Sequence, residues 1–216
     1  MLIGGWGGEI LWSNIGLSNL PAQAGAISPN LSLVVEGGTI QLTTYASVPV
    51  LVLSGGAVEM GAEASLDINS DLYLSGGVVD LVAGATITTK QMEWSGGTLT
   101  GGGEVKCLKL LRILGEGEKI LQDGAMLVNA GLGLWESGNI TSTQGAEFLN
   151  LGNFTPGAGQ GSRGYWEDGN ALLNFQSSAN ATLVGGGAWP ALVYVSQTTL
   201  LNCATLCKSG GLSVST

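Results

Sequence analysis

The feature that most constrains this chain is a repeat marked by paired glycines. Glu36-Gly37-Gly38-Thr39-Ile40, Ser54-Gly55-Gly56-Ala57-Val58, Ser75-Gly76-Gly77-Val78-Val79 and Ser95-Gly96-Gly97-Thr98-Leu99 follow one another, with looser versions at Glu116-Gly117-Glu118-Lys119-Ile120 and Ser137-Gly138-Asn139-Ile140. With the aliphatic residue after each turn as anchor, the series reads Ile40, Val58, Val79, Leu99, Ile120 and Ile140, in steps of 18, 21, 20, 21 and 20 residues. Columns at fixed offsets test this register. Eight residues after the anchors stand Val48, Leu66, Ile87, Cys107, Val128 and Phe148. Five before stand Val35, Leu53, Leu74, Trp94, Gly115 and Trp135, and seven before stand Leu33, Leu51, Leu72, Met92, Ile113 and Gly133. Sixteen of these eighteen are apolar, where a 44% hydrophobic composition gives about eight at random. Within a unit, as at Leu51-Val52-Leu53 or Thr86-Ile87-Thr88, apolar residues alternate with period two, which is the strand period.

Units of about 20 residues built from short strands and glycine turns belong to architectures in which each unit stacks on its neighbours. The expected fold class is all-β: a single-stranded parallel β-helix, or β-solenoid, with about 20 residues per coil and roughly ten coils, stacked at the ~4.8 Å strand spacing. Leucine-rich repeats and β-propellers fit this period and frame less well. With 37 glycines in 216 residues, a largely helical fold is excluded, because each helical Gly costs roughly 1 kcal/mol relative to Ala. The expected organisation is an irregular first coil or cap over 1–32, regular solenoid over 33–155, an extruded loop over 156–165 and less regular terminal coils over 166–216. Trp166-Glu167-Asp168-Gly169-Asn170 is read as resuming the Trp135-Glu136-Ser137-Gly138-Asn139 pattern after 31 residues.

The segments Trp94-Ser95-Gly96-Gly97-Thr98-Leu99, Gly115-Glu116-Gly117-Glu118-Lys119-Ile120, Asp123-Gly124-Ala125-Met126-Leu127-Val128-Asn129 and Phe148-Leu149-Asn150-Leu151-Gly152-Asn153-Phe154 resemble the Gly/Thr/Asn-rich repeats of large secreted or surface proteins. Such proteins, haemagglutinin-like adhesins and autotransporter passengers among them, form right-handed parallel β-helices. The likeness is one of repeat style, spans roughly residues 33–155, and implies a fold rather than an activity.

Composition narrows the chemistry. The absence of His removes Ser-His-Asp and Cys-His nucleophile systems and every His-ligated metal site. A formal charge of −9 repels phosphate backbones, so nucleic acid is not an expected partner. No apolar run approaches the ~20 residues that span a bilayer, and no membrane insertion is expected. The N-terminus lacks the basic and apolar regions of a signal peptide, while Asn-x-Ser/Thr sequons stand at Asn30, Asn139, Asn153 and Asn180. The expectation is an extracellular or cell-surface segment of a longer chain, flanked by further repeats. Cys203-x3-Cys207 lacks the second ligand pair of a zinc site, and the Gly/Asp nonapeptides that bind calcium are missing, so no metal or other cofactor is expected. A local Cys203–Cys207 disulfide would need a turn between them.

Three constellations are candidates for chemistry. One column, Gln41, Glu59, Asp80, Thr100 and Thr141, places Glu59 and Asp80 on adjacent coils, a spacing suited to paired acid–base carboxylates but equally to a solvated outer face. Arg163, Glu167 and Asp168 flank the expected loop, where functional groups commonly sit, although adjacent strand residues point opposite ways. Trp94, Trp135, Trp166 and Tyr165 would stack sugars if exposed, with a polysaccharide or cell-surface glycan as partner; Trp94 and Trp135 share a column with Val35, Leu53 and Leu74, which favours the core for these two and leaves Trp166 and Tyr165 as the ligand-binding candidates. Threonine pairs such as Thr86/Thr88 and Thr98/Thr100 do not recur on enough coils for an ice-binding array. Cys107, in an apolar column, is expected to be a buried, inert thiol. The leading functional expectation is therefore a non-catalytic stalk or adhesive surface, more a scaffold than an enzyme, with a carbohydrate-active lyase or hydrolase on the same fold as the alternative.

Overall fold

A computed structural model describes residues 9–12, 32–156, 163–166, 172–175, 180–184, 192–195, 199–202 and 206–209, with side chains described over 32–152 apart from Asn139. The protein is a parallel β-solenoid of about six turns with roughly 21 residues per turn, and no helix occurs among the described residues. Each coil contributes to three ladders. Long bent strands Tyr45–Leu53, Ser65–Leu74, Thr86–Trp94 and Glu104–Ile113 run through the first and second faces. In the next coils the bend becomes a break, giving Met126–Asn129 with Leu132–Trp135, then Glu147–Asn150 with Asn153–Pro156. The third face stacks Thr39–Leu42, Ala57–Met60, Val78–Leu81, Gly97–Thr100, Lys119–Leu121 and Asn139–Ser142.

The paired glycines turn the chain from the second face to the third; both lie against the neighbouring coil, where a Cβ on Gly77 would stand 2.7 Å from Gly56 O, and the second is constrained by its backbone as well. The second has a left-handed backbone, with φ of +75° at Gly77 and +70° at Gly56, a region that costs a residue bearing Cβ roughly 1–2 kcal/mol. The first lies against the coil above: a Cβ on Gly76 would stand 2.5 Å from the backbone oxygen of Ser54. Stacking corner upon corner at strand spacing leaves no room there for any side chain.

Alternation fills the interior. The second-face columns Leu33–Leu51–Leu72–Met92–Leu111–Gly133 and Val35–Leu53–Leu74–Trp94–Ile113–Trp135 are in direct register and point inward. The return from third to first face closes on a column of buried alanines. Ala64, Ala85, Ala125 and Ala146 donate their N–H groups to the oxygens of Gly61, Val82, Gln122 and Thr143. Burial of each large aliphatic side chain contributes about 1.5–3 kcal/mol, and because like stacks on like, that contribution recurs at every coil.

The observed register corrects the expected one in four places. On the second face Ile113, expected in the Met92 column, stands in that of Trp94 and Trp135, Leu111 takes the place beside Met92, and Gly115, expected beside Trp94, lies in the corner that follows. On the first face, the column expected as Val48, Leu66, Ile87, Cys107, Val128 and Phe148 is two inward columns and part of an outward one: Ala46–Leu66–Ile87–Val105–Leu127–Phe148 and Val48–Ile68–Thr89–Cys107–Asn129–Asn150 point inward, and Val128 pairs with Lys106 and Leu149. The cause is the turn before it. Two residues separate Leu42 from Tyr45 and three separate Thr100 from Glu104, whereas four separate Met60 from Ser65. On the third face the inward column is Ile40–Val58–Val79–Leu99–Leu121–Ser142; Ile120 is half-buried on the outer side, and Lys119 takes the inward place beside Gly97. Finally, Trp166 does not repeat Trp135: Trp135 pairs with Pro156 on the second face, and Trp166 pairs with Ser142 on the third. Of the expected loop 156–165, Pro156 ends one strand and Arg163, Gly164 and Tyr165 belong to the next.

Candidate functional site

Inside the solenoid, most buried polar groups serve the corners and bends; Ser142, also buried, has no hydrogen-bond partner for its hydroxyl among the described residues. Trp94 and Trp135, two coils apart, are buried, and their indole N–H groups donate to the carbonyl oxygens of Gly97 at 3.4 Å and Gly138 at 3.1 Å. The coil between them carries Ile113 at this position, which has no donor, and its corner is widened by Leu114-Gly115-Glu116-Gly117-Glu118. There Lys119 supplies the donor: its fully buried side chain brings Nζ to Gly115 O at 2.8 Å and Gly117 O at 3.0 Å. Burial lowers the Lys119 pKa, against a smaller opposing pull from the Glu116 carboxylate. Both tryptophans are thus core residues, and the lysine is a buried cation that the apolar reading of the Ile120 column had missed.

A second internal feature occupies the bend between the first and second faces. Asn129 and Asn150 are buried register partners, and Asn129 Nδ2 donates to Asn150 Oδ1 at 2.6 Å. Each also reaches the backbone two residues on: Asn129 Nδ2 to Gly131 O at 3.3 Å and Asn150 Nδ2 to Gly152 O at 2.7 Å. Higher in the same column Thr89 Oγ1 donates to Ser70 O and Gln91 O. The Cys107 thiol lies between Thr89 and Asn129, 3.6 Å from Lys90 O; it is buried and unpaired, and burial pushes its pKa up. An Asn-x-Gly signal, Asn129-Ala130-Gly131 and Asn150-Leu151-Gly152 one period apart, marks these corners in the sequence.

Outside, two groups of polar side chains gather. On the third face Gln41, Glu59, Asp80 and Thr100 follow one another in register as expected, whereas Thr141 leaves the column and pairs with Ile120. Gln41 Nε2 donates to Glu59 Oε2 at 2.8 Å, and Thr100 Oγ1 donates to Asp123 Oδ2 at 2.7 Å. Glu59 and Asp80 share a groove of about 290 Å³ with Gln41, Met60 and the exposed Val82. On the second face Arg112 bridges three coils. It donates through Nε and Nη2 to the two carboxylate oxygens of Glu136 at 2.8 and 3.0 Å, and through Nη1 to Glu93 at 3.2 Å. The Glu136 hydrogen bonds raise the Arg112 pKa, which keeps the guanidinium charged.

The remaining candidates divide by position. Arg163, Tyr165 and Trp166 lie on the strand Arg163–Trp166, in register with Asn139, Thr141 and Ser142, so Tyr165 and Trp166 occupy neighbouring columns of the third face. Glu167, Asp168 and Cys203 lie outside the described residues, while Cys207 belongs to the strand Leu206–Ser209. Among the described residues no group of three or more His, Cys, Asp or Glu is placed to hold a metal ion, and no helix is long and apolar enough to cross a membrane. Compared with known proteins, the chain matches no family model, no curated protein and no solved structure.

Proposed function

We propose that this chain is a non-catalytic segment of a secreted or cell-surface protein, a rigid stalk with an adhesive outer surface. The single observation that carries the reading is the use made of buried polar groups: Trp94, Trp135, Lys119, Thr89, Asn129 and Asn150 all bond to backbone at corners or bends. Scaffold maintenance accounts for each of them. The finer proposal of about ten coils is supported by the second-face ladder, whose pairing runs from Glu9–Trp12 through to Leu206–Ser209. Neighbouring repeats of a longer parent chain would stack on the outermost described strands of this ladder, Glu9–Trp12 and Leu206–Ser209, each of which has one partner strand among the described residues, and would guard against edge-to-edge aggregation. Small-angle X-ray scattering tests the stalk: an elongated particle with a constant cross-section supports it, and a compact globule would sink it.

A second reading, a glycan hydrolase or lyase, is favoured by the direct register pairing of Glu59 with Asp80 in one groove. Release of reducing or unsaturated ends from a polysaccharide panel, abolished in Glu59→Gln and Asp80→Asn, would establish it over the first.

A further inference from the structure

The second face carries a groove of about 150 Å³ between two outward columns, lined by Asp71, Tyr73, Gln91, Glu93, Leu110 and Arg112. Tyr73, Glu93 and Arg112 succeed one another in one column, and Asp71, Gln91 and Leu110 do so in the next, so the groove crosses three coils. We propose that this groove is a binding site for an uncharged glycan. Deepening the adhesive part of the function proposed above, it rests on that reading.

The chemistry of the lining points to sugars. Tyr73 is 39% exposed on an otherwise regular face, and an aromatic ring with an apolar body and a polar tip suits the mixed surface of a pyranose. Around it stand planar side chains, the amide of Gln91, the carboxylates of Asp71 and Glu93 and the guanidinium of Arg112, all able to meet neighbouring hydroxyls in pairs. They are pre-positioned. Arg112 is fixed by Glu93 and Glu136, and Asp71 accepts from Ser70 Oγ, so few rotamers remain to be frozen on binding. Gln91 is exposed and offers its amide to solvent. Charge decides the class of sugar. Among the lining residues the carboxylates of Asp71 and Glu93 face the one guanidinium of Arg112, which is already bidentate to Glu136, while the exposed Lys90 and Lys109 adjoin Gln91 and Leu110 in the chain without lining the groove. A uronate or sulfated chain would be repelled here, whereas hydroxyl groups find both donors and acceptors. The volume suits one ring of an extended polymer lying along the coils.

Native affinity electrophoresis of the full chain tests this, in gels containing galactomannan, xyloglucan, dextran or mixed-linkage glucan, with polygalacturonate as the charged contrast. The expected result is retardation by at least one neutral polymer and none by polygalacturonate. Tyr73→Ala is expected to weaken the apparent affinity at least tenfold and Gln91→Ala several-fold, while Tyr45→Ala, at an exposed tyrosine on the first face, leaves it unchanged. Circular dichroism of each variant separates loss of binding from loss of fold, and Tyr73→Phe, which keeps the ring, is expected to retain most of the affinity. Absence of retardation by every neutral polymer overturns the proposal, and so does stronger retardation by polygalacturonate. Retardation that survives both Tyr73→Ala and Gln91→Ala overturns the groove while leaving the adhesive surface standing elsewhere; the stalk itself is judged independently by its scattering profile.

Discussion

Asn129 hands a side-chain N–H to Asn150 across one coil step, at 2.6 Å, inside a column that is otherwise Val48, Ile68, Thr89 and Cys107. The two amides continue inward a column that runs from Val48 and Ile68 through Thr89 and Cys107, and also bond the backbone at Gly131 and Gly152, where the long bent strand has broken into two. Asn150→Leu removes its bonds to Asn129 and to Gly152 O in the interior. It is expected to lower unfolding stability by about 1–3 kcal/mol, the range for a buried polar group left without its partner. Urea unfolding of Asn129→Leu, Asn150→Leu and the double variant checks this. Because each single change takes from the other amide its cross-coil partner, the double variant is expected to lose less than the sum of the two.

The paired glycines predict a position-specific penalty. Gly76→Ala drives Cβ into the Ser54 backbone oxygen and has no flexible side chain to displace, whereas at Gly61 the nearest atom to a new Cβ is 3.7 Å away and φ is unexceptional. Gly76→Ala is expected to cost at least about 2 kcal/mol, as overpacking of a close contact does, and Gly61→Ala to fall within about 0.5 kcal/mol of the wild type. Equal urea midpoints for the two variants would contradict the stacked-corner account.

Lys119 gives a pH dependence whose sign is fixed by its environment. Burial depresses its pKa in the folded chain below the ordinary 10.5, so between the two values the unfolded chain holds more protons. Stability from this group therefore increases as pH rises through that window, and the penalty for the buried charge is fully present below it. The difference in unfolding free energy between wild type and Lys119→Met, measured from pH 7 to 10.5, is expected to move in favour of the wild type as pH rises. A flat or falling difference would show that the ammonium carries no burial penalty. Lys119→Glu, which sets a carboxylate against Gly115 O and Gly117 O, is expected to destabilise by about 3–5 kcal/mol, the cost of an uncompensated buried charge.

Cys107 is expected to resist thiol reagents in the folded Cys203→Ser/Cys207→Ser variant, since it is fully buried and its pKa is raised. Labelling should proceed only at the rate of unfolding and become rapid in denaturant. Fast modification under native conditions would place the thiol on the outer face of the strand.

The period, the all-β class, the parallel solenoid and the two glycine columns were legible in the sequence, because a left-handed corner and a corner without room for a Cβ both favour Gly, and Gly recurs there on most coils, Glu118 and Ser137 being the departures. The burial of Trp94 and Trp135 and the pairing of Glu59 with Asp80 were legible for a related reason: these residues occupy columns whose other members are recognisable. Register across the variable turns was decided only by tertiary structure. Turns of two or four residues shift a strand by an even number, and side chains then stay on the same face. An apolar count is therefore blind to the shift, which is why Val48 and Leu66, both inward-facing, read as one column in the sequence but stand in two. Lys119 lay beyond sequence reading for a different reason. Its burial is favoured by the carbonyls of a corner widened to 114–118 and by the missing indole at Ile113, and neither condition can be seen until Trp94, Ile113 and Trp135 are stacked in one column. The Arg112 network likewise joins residues 19 and 24 positions apart, and it exists because stacking turns one chain period into one strand spacing.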